Sequence, residues 1–197
     1  MLKIGLTGGI GTGKSIVGKV FEMLGIPVYI SDIEAKRLMS EDHEIREKLI
    51  ERFGSEVYNS NKQLNRIHLA NIIFKQPEAL QEVNSIVHPV VRRDFKNWCE
   101  KYAHLPYVIQ ESAILFDTGL YKNFDKMITV TANDEIRIKR VMDRDSVSRE
   151  HVEERMKNQL SEKLKVEQSD FVIYNNSELI LPQIVKIDSE LRKLAQL

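Results

Sequence analysis

Apolar positions change their spacing twice within the first thirty residues. Leu2-Lys3-Ile4-Gly5-Leu6-Thr7 is a short apolar-rich run ending at glycines, the pattern of a buried strand. From Lys14 onward Ile16, Val17, Val20, Phe21 and Leu24 recur at helical spacing until Gly25 and Pro27 stop the pattern. Val28-Tyr29-Ile30 reads as a second strand. Strand, loop, helix and strand in that order predict parallel strands joined by a right-handed crossover.

The middle of the chain has a different character. A helix is expected over Ile33 to Met39, and Ile45, Leu49, Ile50 and Phe53 form a helical stripe closed by Gly54. Leu64, Ile67, Ala70, Ile73 and Phe74 form another. Pro77 suits the first turn of a third helix carrying Leu80, Val83 and Val87. His88-Pro89 reads as a break, followed by a helix with Val91, Phe95, Trp98 and Tyr102. No strand is expected in this stretch.

Alternation then resumes. Tyr107-Val108-Ile109 and Met127-Ile128-Thr129-Val130 read as strands, and Ile136 to Arg144 and Val152 to Leu164 as charged helices. Phe171-Val172-Ile173-Tyr174 is a last strand ended by Asn175-Asn176-Ser177, and a C-terminal helix is expected from Pro182. The fold class is therefore α/β: a parallel-sheet core interrupted by a helical stretch.

Composition narrows the function classes. Lys and Arg number 29 and Asp and Glu 29 in 197 residues, so no global basic field exists to hold a nucleic acid. Cys99 is the one cysteine and cannot form an internal disulfide. No apolar run approaches the ~18 residues of a membrane helix. Met1-Leu2-Lys3 leads straight into the glycine loop with no room for the h-region of a signal peptide. A soluble, cytoplasmic protein without membrane or nucleic-acid partners is expected.

Gly8-Gly9-Ile10-Gly11-Thr12-Gly13-Lys14-Ser15 fits G-x-x-x-x-G-K-[ST] between a predicted strand and a predicted helix. Glycines let the backbone close on an anion, and successive N–H groups with the following helix N-terminus then face phosphate oxygens. Lys14 would neutralise β/γ charge, and the Ser15 hydroxyl would ligate Mg²⁺. The bland alternative is an ordinary glycine-rich turn, but a chance match to the four specified positions occurs on the order of once in a hundred chains of this length. Asn61-Lys62-Gln63-Leu64 fails the guanine motif N-K-x-D at its fourth position, and Asp117-Thr118-Gly119 has the wrong spacing for D-x-x-G. A GTPase switch is disfavoured.

Asp32 follows Val28-Tyr29-Ile30 and would lie at the carboxyl end of the second strand. If the first two strands are parallel neighbours, Asp32 and the phosphate loop share one rim of the sheet. A carboxylate there could accept a hydroxyl's proton and touch Mg²⁺. It could equally cap the following helix, and both roles can hold together.

Leu6-Thr7-Gly8-Gly9-Ile10-Gly11-Thr12-Gly13-Lys14-Ser15, followed by Asp32-Ile33-Glu34-Ala35-Lys36, strongly resembles the start of dephospho-CoA kinases. The resemblance continues through Leu64-Asn65-Arg66, His88-Pro89, Ala113-Ile114-Leu115-Phe116-Asp117, Arg140 to Asp145 and Asn175-Asn176, in the family's order. It implies a P-loop kinase that transfers the ATP γ-phosphate to the 3′-hydroxyl of dephospho-CoA, the last step of coenzyme A biosynthesis. It also implies Asp32 as the base, a helical insertion that binds the CoA end, and a mobile lid over ATP. On that basis the core comprises about 1–44, 105–136 and 166–197, the insertion about 45–104 and the lid about 137–165 of one domain. The sequence departs from the family's pattern at Ser31, Lys36, Ala113, Asp117 and Tyr174, none of them in the phosphate loop.

Arg137, Arg140 and Arg144 lie at i, i+3 and i+7, on one helical face. Interleaved acids favour a solvated face on the residues alone; the resemblance makes Arg140 and Arg144 ATP contacts beside Gly8, Gly9, Gly11, Thr12, Gly13, Lys14, Ser15 and Ile16, with Arg137 left on the surface. Asn175 either reads adenine or makes a turn. His88 is expected to shape the acceptor pocket, and Arg66 and Arg92 to meet phosphates of the CoA portion. The rival readings are a kinase for another small acceptor, such as a nucleoside monophosphate, and a non-enzymatic ATP-binding switch.

Overall fold

The computed structural model describes residues 1–196, with Pro77 described by its backbone alone. Leu197, the last residue of the expected core segment 166–197, lies outside the described residues. The chain divides into two compact units, one of Met1–Ile30 with Tyr102 onward and one of Ser31–Lys101.

The first unit contains five strands: β1 (Leu2–Thr7), β2 (Val28–Ile30), β3 (Tyr107–Glu111), β4 (Lys126–Thr131) and β5 (Phe171–Tyr174). They form one sheet in the order β2-β3-β1-β4-β5, and every pairing is parallel. β1 and β2 are not neighbours, because β3 lies between them. Its residues Tyr107 to Glu111 are all buried, as a strand flanked on both edges requires. The helices of this unit are α1 (Lys14–Met23), α6 (Asp134–Asp145), α7 (Arg149–Lys157), α8 (Glu162–Glu167) and α9 (Ile180–Leu194). Ile4, Leu6, Ile128, Val130 and Ile173 from the strands meet Val17 and Phe21 of α1 and Ile184, Ile187 and Leu191 of α9 in a core that excludes water. Each such side chain contributes roughly 1.5–3 kcal/mol of burial.

The second unit is helical: α2 (Ser31–Glu41), α3 (His43–Phe53), α4 (Arg66–Lys75) and α5 (Pro77–Lys101), with a short 3₁₀ turn at Ser55–Val57. Asp42 caps α3 by accepting from the Ile45 N–H at 3.0 Å, and Gly54 ends it at φ 89°. Arg37 on α2 reaches Glu34, Glu41 and Asp94, the last on α5. The Tyr58 hydroxyl donates to the Met39 carbonyl at 2.6 Å, and burial pushes its pKa up to about 12.

Three expected boundaries move. α5 runs unbroken through Pro89, where a break was expected. An interior proline costs ~3 kcal/mol or more. Val83, Val87, Val90, Val91, Phe95 and Cys99 are all buried along this helix, and their summed burial outweighs that loss. The expected helix from Val152 to Leu164 is two helices, α7 and α8. Asp117 accepts the Leu160 N–H at 2.8 Å, and Ser161 caps the start of α8. The C-terminal helix begins at Ile180, so Pro182 lies in its first turn.

Candidate active site

Parallel strands share one carboxyl rim, where an open α/β sheet binds its ligand. β1 reaches that rim at Thr7, and residues 8–13 turn the chain into α1. Gly8 has φ 147°, and a Cβ there would collide with the Val130 carbonyl of β4. Gly11 has φ 80°, and its Cβ would lie 2.5 Å from the Arg137 carbonyl, so α6 leans directly on the loop. Only glycine satisfies both conditions at either position.

The loop is internally braced. Thr12 is fully buried, its hydroxyl donates to the Gly9 carbonyl at 2.9 Å, and its N–H reaches the same oxygen at 3.3 Å. Lys14 Nζ donates to that carbonyl as well, at 3.3 Å. Among the described residues no acceptor takes the N–H groups of Gly11, Gly13 and Ser15. Gly13, left-handed at φ 96°, caps α1, so these orphan donors gather at a helix N-terminus. Converging N–H groups, a lysine and the positive end of a helix make an anion cradle.

Two further predicted residues join the cradle. Asn175 follows β5, donates through Nδ2 to the Thr12 carbonyl at 2.8 Å, and is held by its own N–H on the Thr131 carbonyl at 2.9 Å. Arg140 on α6 reaches the Gly11 carbonyl and Asn175 Oδ1, both at 3.5 Å, the outer limit for a hydrogen bond. Arg144 lies apart. It is exposed and makes a two-pronged pair with Asp145, which Arg155 also contacts; together these arginines hold the Asp145 carboxyl well below the usual carboxylate range.

Arg137 overturns its expected place on the surface. It is 3% exposed, donates from Nε to the Ile10 carbonyl at 3.0 Å and pairs with Asp134 at 2.9 Å. Asp134 and Glu162 supply the anionic partners that let a guanidinium stay buried, the latter at 3.9 Å. Lys165 is fully buried, with Nζ 3.7 Å from Glu162 and no hydrogen-bond partner. Gln159 accepts the Ile10 N–H through Oε1 at 2.9 Å. None of these roles was visible in the spacing of a charged helix. Glu111 did carry a signal, since it ends an apolar strand; it is 7% exposed at the carboxyl end of β3, in register with Leu6 and Ile30.

β2 ends at Ile30, and the chain enters α2 with no intervening loop. Asp32 is thus the second residue of α2 and exposed, in the first turn rather than at the cap position expected of it. A carboxylate in a first turn still complements the helix dipole. In the helical unit, His88 and Arg92 stand one turn apart on α5 beside a cavity of about 350 Å³ that Gln81, Asn84 and Ser85 also line. Burial lowers the His88 pKa, and the Arg92 charge adds to that effect. Arg66 is the exposed first residue of α4, where Asn65 caps the helix by accepting the His68 N–H at 3.1 Å.

Among the described residues no group of three or more His, Cys, Asp or Glu could hold a metal ion, and no helix is long and apolar enough to cross a membrane. A Mg²⁺ site borne largely by substrate phosphates needs no such cage. The Ser15 hydroxyl, exposed in the first turn of α1, and the Glu111 carboxylate at the same rim suit that role.

Comparison with known proteins points the same way. The family model described as "Dephospho-CoA kinase" matches residues 2–180. The Bacteroides fragilis (strain YCH46) protein of that name is 39% identical over 187 residues, 94% of this chain and 91% of its own length. The Porphyromonas gingivalis protein of that name is 40% identical over 197 residues, 98% of this chain and 95% of its own length. The solved structure of dephospho-CoA kinase from Campylobacter jejuni aligns with a TM-score of 0.73 at 25% identity, covering 97% of each chain.

Proposed function

The chain belongs to the dephospho-CoA kinase family, and from that membership we propose how its residues divide the transfer of the ATP γ-phosphate to the 3′-hydroxyl of dephospho-CoA. The observation that carries the reading is the cradle, with three N–H groups that find no acceptor among the described residues, beside Lys14 at the start of α1. The backbone of Gly8, Gly9, Gly11, Thr12, Gly13, Lys14, Ser15 and Ile16 binds the phosphates, and Lys14 neutralises charge that spreads over the transferred group. Arg140 and Asn175, already touching the loop, line the nucleotide side.

Asp32 accepts the proton of the acceptor hydroxyl. Its support is its exposure and its place two residues past the carboxyl end of β2. His88, Arg66 and Arg92 bind the CoA portion. With its pKa lowered, His88 is neutral near pH 7 and serves as a hydrogen-bonding group, leaving phosphate charge to the arginines. The insertion of about 45–104 carries this acceptor side, and the segment of about 137–165 closes over ATP. In closing, Arg144 would exchange Asp145 for a phosphate oxygen. Ser15, Asp32 and Glu111 are the residues that would hold Mg²⁺, which when bound would supply neutralisation of the charge developing on the phosphates. A cytoplasmic location completes the reading.

The test is product detection by ³¹P NMR or mass spectrometry after incubation with ATP, Mg²⁺ and dephospho-CoA. A 3′-phosphorylated product is expected. Faster turnover with AMP would replace the acceptor, and ATP binding without acceptor-dependent turnover would replace the enzyme with a switch.

A further inference from the structure

Ile10 is held from both ends. Its N–H donates to Gln159 Oε1 at 2.9 Å, and its carbonyl accepts from Arg137 Nε at 3.0 Å. The two holders come from different elements, Arg137 from the first turn of α6 and Gln159 from the connection between α7 and α8. Each is itself fixed. Arg137 is buried and paired with Asp134, and the Leu160 N–H next to Gln159 is pinned on Asp117.

We propose that Gln159 and Arg137 are positioning residues for phosphoryl transfer, clamping the Ile10 peptides so that the loop presents donors rather than an acceptor to the nucleotide. A trans peptide points its carbonyl and its N–H in opposite directions. Fixing the Ile10 carbonyl on Arg137 therefore turns the Gly11 N–H the other way, and that N–H is one of the orphan donors of the cradle. A flip of this peptide would replace the donor with a carbonyl oxygen facing phosphate. Glycine at position 11 offers no Cβ barrier to such a flip, so the restraint must come from elsewhere. Gln159 supplies the second restraint, and it links the loop to the α7–α8 connection. Displacement of that connection would be felt at Ile10.

This inference rests on the proposed phosphotransfer but is read separately from it. Gln159 is only partly buried, which makes Gln159→Leu, of similar size, a tolerable change. Its measured quantities are KM for ATP, kcat, KM for the acceptor, Tm, and hydrogen exchange at the Ile10 amide. Loss of one hydrogen bond to the loop is expected to lower kcat/KM for ATP about tenfold. KM for dephospho-CoA should stay within about twofold, Tm should move by only a few degrees, and protection at Ile10 should fall. Gln159→Glu keeps an acceptor in place and should restore that protection. A purely structural glutamine would lower Tm and leave kinetics well below Tm unchanged, which overturns the proposal. So does unaltered Ile10 protection in Gln159→Leu. If the wild-type protein bound ATP but did not phosphorylate dephospho-CoA, the functional reading would fail. The clamp would then still be tested by ATP affinity and amide exchange.

Discussion

Replacing Gly8 by alanine tests whether the phosphate loop is fixed by steric fit against the sheet. Two costs add. A non-glycine residue at φ 147° carries roughly 1–3 kcal/mol of backbone strain. The new methyl also collides with the Val130 carbonyl. Val130 is fully buried on β4, a strand paired on one side with β1 and on the other with β5, so its backbone cannot retreat without disturbing two ladders. Together these predict a loss of about 3 kcal/mol or more, a drop in Tm of roughly 6–12 °C at this chain length. Gly25→Ala is the control. Its φ is likewise positive, 82°, but nothing lies within 4 Å of its Cβ position, leaving only the strain of a left-handed alanine, about 1 kcal/mol, and a drop of roughly 2–4 °C. Thermal unfolding and ATP titration of both variants decide the matter. Gly8→Ala should also weaken ATP binding by more than tenfold, since relief of the collision must move the cradle. Equal Tm shifts with ATP affinity intact in both variants would show that the loop is not held by this contact.

Other expectations follow from single features. Asp32→Ala should lower kcat by ~10²–10⁴ while isothermal titration shows ATP affinity within a few-fold of wild type; equal losses in both would make Asp32 a metal or structural residue. Lys165→Met removes a buried ammonium and leaves Glu162, among the described residues, with Arg137 as its one ion-pair partner, so stability should fall by ~1–3 kcal/mol in urea unfolding. The double change Lys165→Met with Glu162→Leu should recover most of that loss, and an additive loss would mean the two charges do not act as a pair. His88 has a folded pKa below its ordinary value, so the unfolded chain binds the extra proton first and its stabilising share is complete only above about pH 6.5. Stability should therefore decline as pH falls from 7 toward 5, and His88→Gln should flatten that decline in Tm-against-pH curves.

The parts of this protein legible from residues alone are those governed by short-range chemistry. A change of hydrophobic period marks β1, α1 and β2, because burial of one face depends only on local spacing. The phosphate loop is recognisable for a related reason: tight backbone closure on an anion demands glycines and a lysine at set intervals. Gly54 likewise marked the end of α3, since it takes the positive φ that a terminating turn needs.

Tertiary packing decided the rest. Strand order depends on which edges exchange hydrogen bonds, a long-range choice, and β3 took the place beside β1 that proximity in sequence suggested for β2. Pro89 stayed helical because its neighbours' burial outweighs one missing N–H. Arg137 sits among interleaved acids that suggest solvent, yet the position of α6 against Gly11 brings it to the Ile10 carbonyl and buries it. A guanidinium's burial is settled by partners that only the folded chain supplies, Asp134 one turn away and Ile10 far back in the chain.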